Sequence, residues 1–245
     1  MTESHLARCC ADLARARLKL AGAQLRDAHY YASVPLCVID AVFSIGVRYS
    51  STARTVQRFA ANQDPSWPVF DRRRMTNEAV AEKTVACLVA ALEGRPPVDT
   101  AERIFQNHQR TSPRSGILKS QAVLEFAKAL SRSGIEVFED LTDDRKVATA
   151  REQVLQIKGQ NSGISFDYFL LLAGSDNHVK ADRMVRRFVS RAKCGPDATP
   201  NELHVPPMVA FKAVVTAARL LKRDFPNMTP RLLDSLIWAH ERAQR

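Results

Sequence analysis

The sequence predicts an all-α fold, and three observations carry that prediction. Almost every apolar stretch repeats at helical period. The nine glycines are too few for a fold built on tight β-hairpins. The twelve prolines fall mostly between the periodic stretches rather than inside them. The 245 residues bound the chain to one large domain or two small ones, enough to bury a real core. With 45% hydrophobic and 25% charged residues the composition is ordinary for a globular protein, which excludes disordered, collagen-like and coiled-coil chains.

Taken in order, residues 4 to 31 form an Ala- and Leu-rich amphipathic run, which Pro35 interrupts. Residues 36 to 47 (LCVIDAVFSIGV) are nearly all apolar, as suits a helix buried on most sides. Ser50, Ser51 and Thr52 supply N-cap chemistry for a helix ending near Asn62, and residues 64 to 68 (DPSWP) read as a loop. A helix over residues 76 to 92 is capped by Thr76 or Asn77 and stopped by Gly94 and the Pro96-Pro97 pair. Asp99 opens a short helix to about Asn107, and a polar loop, HQRTSPRSG, occupies residues 108 to 116. Residues 117 to 131 and 143 to 157 are amphipathic helices separated by a turn at Gly134.

The tightest helix-to-helix connection follows, Ile157-Lys158-Gly159-Gln160-Asn161-Ser162-Gly163, leading at once into an apolar helix over residues 164 to 173. Helices at 181 to 192, 206 to 225 and 229 to 244 complete the chain, the last opening with Thr229-Pro230, a cap followed by Pro at the first helical position. That makes ten or eleven helices with no internal repeat.

Charge and cysteine usage narrow the setting. Lys and Arg number 36 against 26 Asp and Glu, a net charge of +10, which suggests a polyanion partner, nucleic acid first and a generic basic surface second. Cys9, Cys10, Cys37, Cys87 and Cys194 are odd in number and lack C-x-x-C spacing, so neither a disulfide framework nor a four-thiolate metal site is expected, and a reducing compartment fits. No stretch reaches the roughly 18 to 20 apolar residues of a membrane helix. The first twenty residues mix charges with apolar side chains and hold no signal-peptide core, so the expectation is a cytoplasmic, non-membrane protein, nucleoid-associated in a bacterium.

Two features bear chemistry. A short loop with Gly159 and small polar residues, opening directly into a helix, presents backbone N–H groups that can seat a phosphate without reading bases, with Lys158 beside it. Equally, any two packed helices need such a turn. Beyond the next helix stands Asp182, at the head of ADRMVRRFVSR with Arg183, Arg186 and Arg187 after it, where the helix N-terminus and the cations favour an ionised carboxylate. An Asp in the first turn of a solvated, ion-paired helix is the plainer alternative.

Together these residues resemble the helix-hairpin-helix DNA glycosylase superfamily, the endonuclease-III-like base-excision enzymes, from about Pro35 to Val189. LCVIDAVFSIGVRYSSTARTVQRF is similar to the family's first barrel helix, wedge loop and following helix, and RSGILKSQAVLEFAKAL to the helix after its short polar loop. QIKGQNSGISFDYFLLLAG is similar to the hairpin, and VKADRMVRRFV to the segment bearing the family's essential Asp. The resemblance implies a two-lobed α fold: residues 35 to 175 as a six-helix lobe ending in the hairpin, and residues 1 to 34 with 176 to 245 as a second lobe carrying Asp182. It also implies double-stranded DNA in the cleft between the lobes, a monomeric protein, and hydrolysis of an N-glycosidic bond to a damaged or modified base flipped out of the stack.

The resemblance assigns Asp182 as the catalytic carboxylate and Lys158, Gly159, Gln160, Asn161, Ser162 and Gly163 as the DNA-binding hairpin. Where lyase members carry a hairpin lysine this sequence has Gly163, so a monofunctional glycosylase without strand cleavage is implied. The usual second hairpin glycine is Asn161, which tolerates a left-handed conformation. The four-cysteine iron–sulfur motif is absent, so no cofactor is expected beyond a monovalent cation that the hairpin could hold.

Arg48 and Tyr49 occupy the loop where the family fills the gap left by the flipped base, although a plain helix-anchoring pair fits as well. Lys119 and Arg114 are candidates for phosphate contact, against a default of solvated charge. Phe166, Tyr168, Phe169 and Trp238 read as core, and the six histidines have no metal-ligand spacing. A catalytically inactive helix-hairpin-helix DNA-binding protein is the alternative function, and an α-helical protein-interaction module a third.

Overall fold

A computed structural model describes residues 2–25, 31–47, 49–63, 65–70, 82–113, 115–195 and 205–244. Among them the chain is all-helical, with eleven α-helical segments and no extended pairing beyond two isolated bridges, Tyr31 to Phe70 and Arg110 to Leu118. No helix of the described residues is long and apolar enough to cross a membrane. The fold divides into two compact units: residues 27–173, and residues 1–26 with 174–245.

The unit of residues 27–173 is organised around α2 (Val34–Phe43), all ten residues of which are buried. Pro35, expected to interrupt the chain, instead lies in the first turn of this helix, where its missing N–H costs nothing. An almost wholly apolar helix must be covered on every side. Helices α3 (Tyr49–Ala61), α4 (Val85–Leu92), α6 (Lys119–Arg132) and α8 (Ile164–Leu172) pack against it. Phe105 fills the gap at one end, its ring 5.1 Å from Phe43 and 5.5 Å from Phe59.

Several boundaries differ from the sequence reading for local reasons. The helix expected over 76 to 92 is described only from Val85, because Thr84 caps it by accepting the Cys87 N–H at 3.3 Å; Thr76 and Asn77 lie outside the described residues. Ser50, Ser51 and Thr52 fall inside the first turn of α3 rather than before it. The Pro96-Pro97 pair starts an element instead of ending one: α5 (Pro97–Asp99) runs on into wider π-helical turns over Thr100–Phe105, closed by Gln106 at φ 47°. A 3-10 turn, Phe138–Thr142, leads to α7 (Asp144–Leu155), whose N-cap Asp143 accepts from Arg145 N at 2.8 Å.

In the other unit, α1 (Glu3–Arg17) lies against α10 (Pro207–Leu221) and α9 (Arg183–Cys194), and α11 (Pro230–Ala243) packs on α9 and α10. Helix α1 is about half as long as its apolar run suggests: Leu18, its C-cap, is already extended (φ −108°, ψ 149°), and Gly22 (φ +67°) turns the chain beyond it. Thr229 caps α11 through the Leu232 N–H at 3.1 Å, with Pro230 next to it as expected. Inside the unit Arg191 of α9 meets the buried Glu241 of α11 at 3.3 Å. Trp238, expected in the core, is half-buried, and Arg242 stacks 4.9 Å over its ring.

Candidate nucleic-acid interface and carboxylate

Two glycines build the bend between α7 and α8. Gly159 has φ +89° and Gly163 φ +73°, the left-handed region where a Cβ is strained. Gln160 N–H donates to Ile157 O at 2.9 Å and Gly163 N–H to Gln160 O at 3.0 Å, so two tight turns follow each other and α8 starts at Ile164. Asn161, expected to take a left-handed conformation in place of a glycine, does not, because the two flanking glycines already make both reversals.

Neighbours hold this bend in place. Thr111 Oγ1 donates to Lys158 O at 3.0 Å, and a Cβ on Gly159 would lie 2.4 Å from the Thr111 Oγ1 atom. Arg151 of α7 pairs with Asp167 of α8 at 2.5 Å, covers the Phe166 ring at 5.5 Å, and would stand 2.9 Å from a Cβ on Gly163. The 108 to 116 loop and the two helices therefore close around the glycines. Neither clamp was anticipated from the sequence.

The six expected hairpin residues divide by facing. Lys158, Gly159, Asn161 and Ser162 are exposed. Gln160 is not: its side chain is buried and accepts the Ser165 hydroxyl proton, which corrects its expected place among the DNA-facing side chains. Gly163 is buried and caps α8 without a side-chain bond. Among the described residues the N–H groups of Asn161 and Ser162 make no hydrogen bond. Although Ser162 Oγ accepts the Ile164 N–H at 3.5 Å, exposed donors just ahead of a helix, with a lysine alongside, are chemically suited to an anion.

Lys119 corrects the sequence reading outright. It is 2% exposed, and its Nζ donates to Phe43 O at 2.9 Å, Ile45 O at 2.7 Å and Gln109 Oε1 at 3.2 Å. Its charge is spent on the orphan carbonyls at the end of α2, where a cation is favoured, and not on solvent or phosphate. The strand of chain leading to residue 48 is thereby anchored. Arg48 and Arg114 lie outside the described residues, and Tyr49 is the first residue of α3. Phe166 and Phe169 are fully buried and Tyr168 nearly so, as expected of core.

Asp182 belongs to the unit of α9 to α11, the bend to the unit of α2 to α8. It is the N-cap of α9: Oδ1 accepts from Met184 N at 2.7 Å and Val185 N at 3.4 Å. Oδ2 carries no hydrogen bond among the described residues, and the side chain is half-buried. Arg186, one of the three expected cationic neighbours, turns to Val205 O at 2.7 Å, while Arg183 is exposed. A second carboxyl, Asp234 of α11, is buried beside this segment and accepts Lys180 N–H at 2.9 Å. Burial, and then the Asp182 charge, push its pKa well above the usual carboxylate range.

The fold and site define an all-α protein of two helical units, with a glycine-built interhelical bend in one and a capping carboxylate in the other. The chain belongs to DUF8548, a domain family of unknown function whose model matches residues 6–242. No curated protein and no solved structure matches it.

Proposed function

We propose that this protein is a monofunctional DNA glycosylase of the helix-hairpin-helix superfamily, hydrolysing the N-glycosidic bond of a damaged or modified base in duplex DNA. The observation that carries this reading is the Asp182 carboxylate: one oxygen is used to cap α9, and the other, in a half-buried setting, makes no hydrogen bond among the described residues. As the base leaves, C1′ of the sugar becomes an oxocarbenium-like cation, and a fixed anion close to it lowers the barrier while orienting the attacking water. The electron pair of the C1′–N bond leaves with the base, the water oxygen bonds C1′, and one water proton ends on the base.

The bend supports the same reading. The Asn161 and Ser162 N–H groups and the exposed Lys158 would meet backbone phosphates on any sequence, while the base is flipped out for chemistry. Gly163 offers no amine, so no Schiff base forms and the strand stays intact after base release. The bend fits a monovalent cation only in part. The carbonyls of Ile157, Lys158 and Gln160 each already accept a hydrogen bond, and no step depends on such an ion.

The test is incubation with duplex oligonucleotides bearing a panel of lesions and modifications, with alkali or heat revealing abasic sites. Release from at least one substrate, with strand breaks appearing only after that treatment, is expected. Duplex binding without release from any substrate would favour a catalytically inactive DNA-binding protein, in which the capping bonds of Asp182 are its whole role. Breaks without treatment would show that another amine does the work of the missing lysine.

A further inference from the structure

Between α8 and α9 the chain is laid along the first turns of α11. Arg231 N–H donates to Asp176 O at 3.2 Å, and one turn further Asp234 Oδ1 accepts Lys180 N–H at 2.9 Å. Lys180 is also the residue whose carbonyl accepts the Asp182 N–H, at 2.6 Å. One residue is thus held by its N–H from α11 while its carbonyl closes the turn onto Asp182. We propose that Asp234 is a positioning residue for Asp182, fixing through Lys180 the tight turn that sets where the catalytic carboxylate stands. This rests on the proposed role of Asp182 at the sugar.

The chemistry of Asp234 suits that task. A carboxyl that is 7% exposed is costly to bury charged, and the charges that act on it are Asp182, which repels its ionised form, and Lys180, which favours it. Burial and Asp182 outweigh Lys180, so its pKa stands well above the usual carboxylate range. Protonated or ionised, the carboxyl keeps an oxygen that accepts the Lys180 N–H, so the bond that holds the turn does not depend on its charge. Asp234 and Lys180 both act on the same turn, one from a helix more than fifty residues away in sequence.

The experiment compares wild type with D234N and D234A, with D182N as reference, on a substrate identified in the lesion panel. Asn keeps an oxygen for Lys180 and cannot ionise; Ala has neither property. D234A is expected to slow single-turnover base release about 10- to 100-fold, the scale of a misplaced catalytic group. Duplex affinity should stay within about twofold, and amide exchange at Lys180 and Asp182 should speed up. D234N restores most of the rate and the protection. A folded D234A with wild-type rate overturns the proposal, as does D234N equally slow while Lys180 stays protected. Failure of the glycosylase reading looks different: wild type itself then releases no base.

Discussion

Asp182 uses its two oxygens differently, and substitutions can separate them. Asn caps a helix as well as Asp, so D182N should melt within about 0.5 kcal/mol of wild type, whereas D182A should lose about 1 kcal/mol. Both should lose base release by roughly 10²-fold or more, since neither supplies the anion. Thermal melts and single-turnover assays on the same samples check both halves. Lys119 makes a contrasting prediction: K119M strands the Phe43 and Ile45 carbonyls and should cost about 2 to 4 kcal/mol in denaturant unfolding. A phosphate-binding lysine would cost affinity and not stability.

Asp234 adds a pH dependence with a definite sign. Its pKa is raised on folding, so the stability it contributes is complete below the unfolded value near 3.8 and is lost as pH rises through the folded one. Melting temperature should therefore fall across that window in wild type and less in D234N. Asp182 could be singled out from sequence because an Asp heading a helix is a local pattern. The structural roles of Lys119 and Asp234 could not be read that way, because their partners, Phe43 of α2 and Lys180 of the segment before α9, are distant in sequence.

At the scale of elements, the bend is a joint effort of α7, α8 and the 108 to 116 loop. Removing the Thr111 hydroxyl in T111V deletes one bond to Lys158 O, and should raise amide exchange in the bend by an amount corresponding to about 1 kcal/mol of local opening. Replacing Gly159 itself is a poor probe of DNA binding, because any side chain there collides with Thr111 in the free protein. Helix existence was legible from periodicity, as in the apolar run that became α2. Ends were less so: Pro97 begins α5, since a proline marks a boundary without saying on which side it falls, and α1 stops at Arg17 inside a run that stays apolar beyond it.

For the whole molecule, the all-α class followed from pattern alone, whereas membership of DUF8548 assigns no chemistry. The net charge of +10 favours polyanions in general, and duplex DNA is the proposed one. Contact with about five phosphates predicts log K falling with log salt at a slope of roughly −4 to −5, and K158A should reduce it by about 0.9. Base release by wild type beside D182N tests the central claim most directly. Abasic sites formed by wild type on at least one modified duplex, and lost in a D182N protein that still binds that duplex, are the predicted result. Equal release by the two proteins would contradict it.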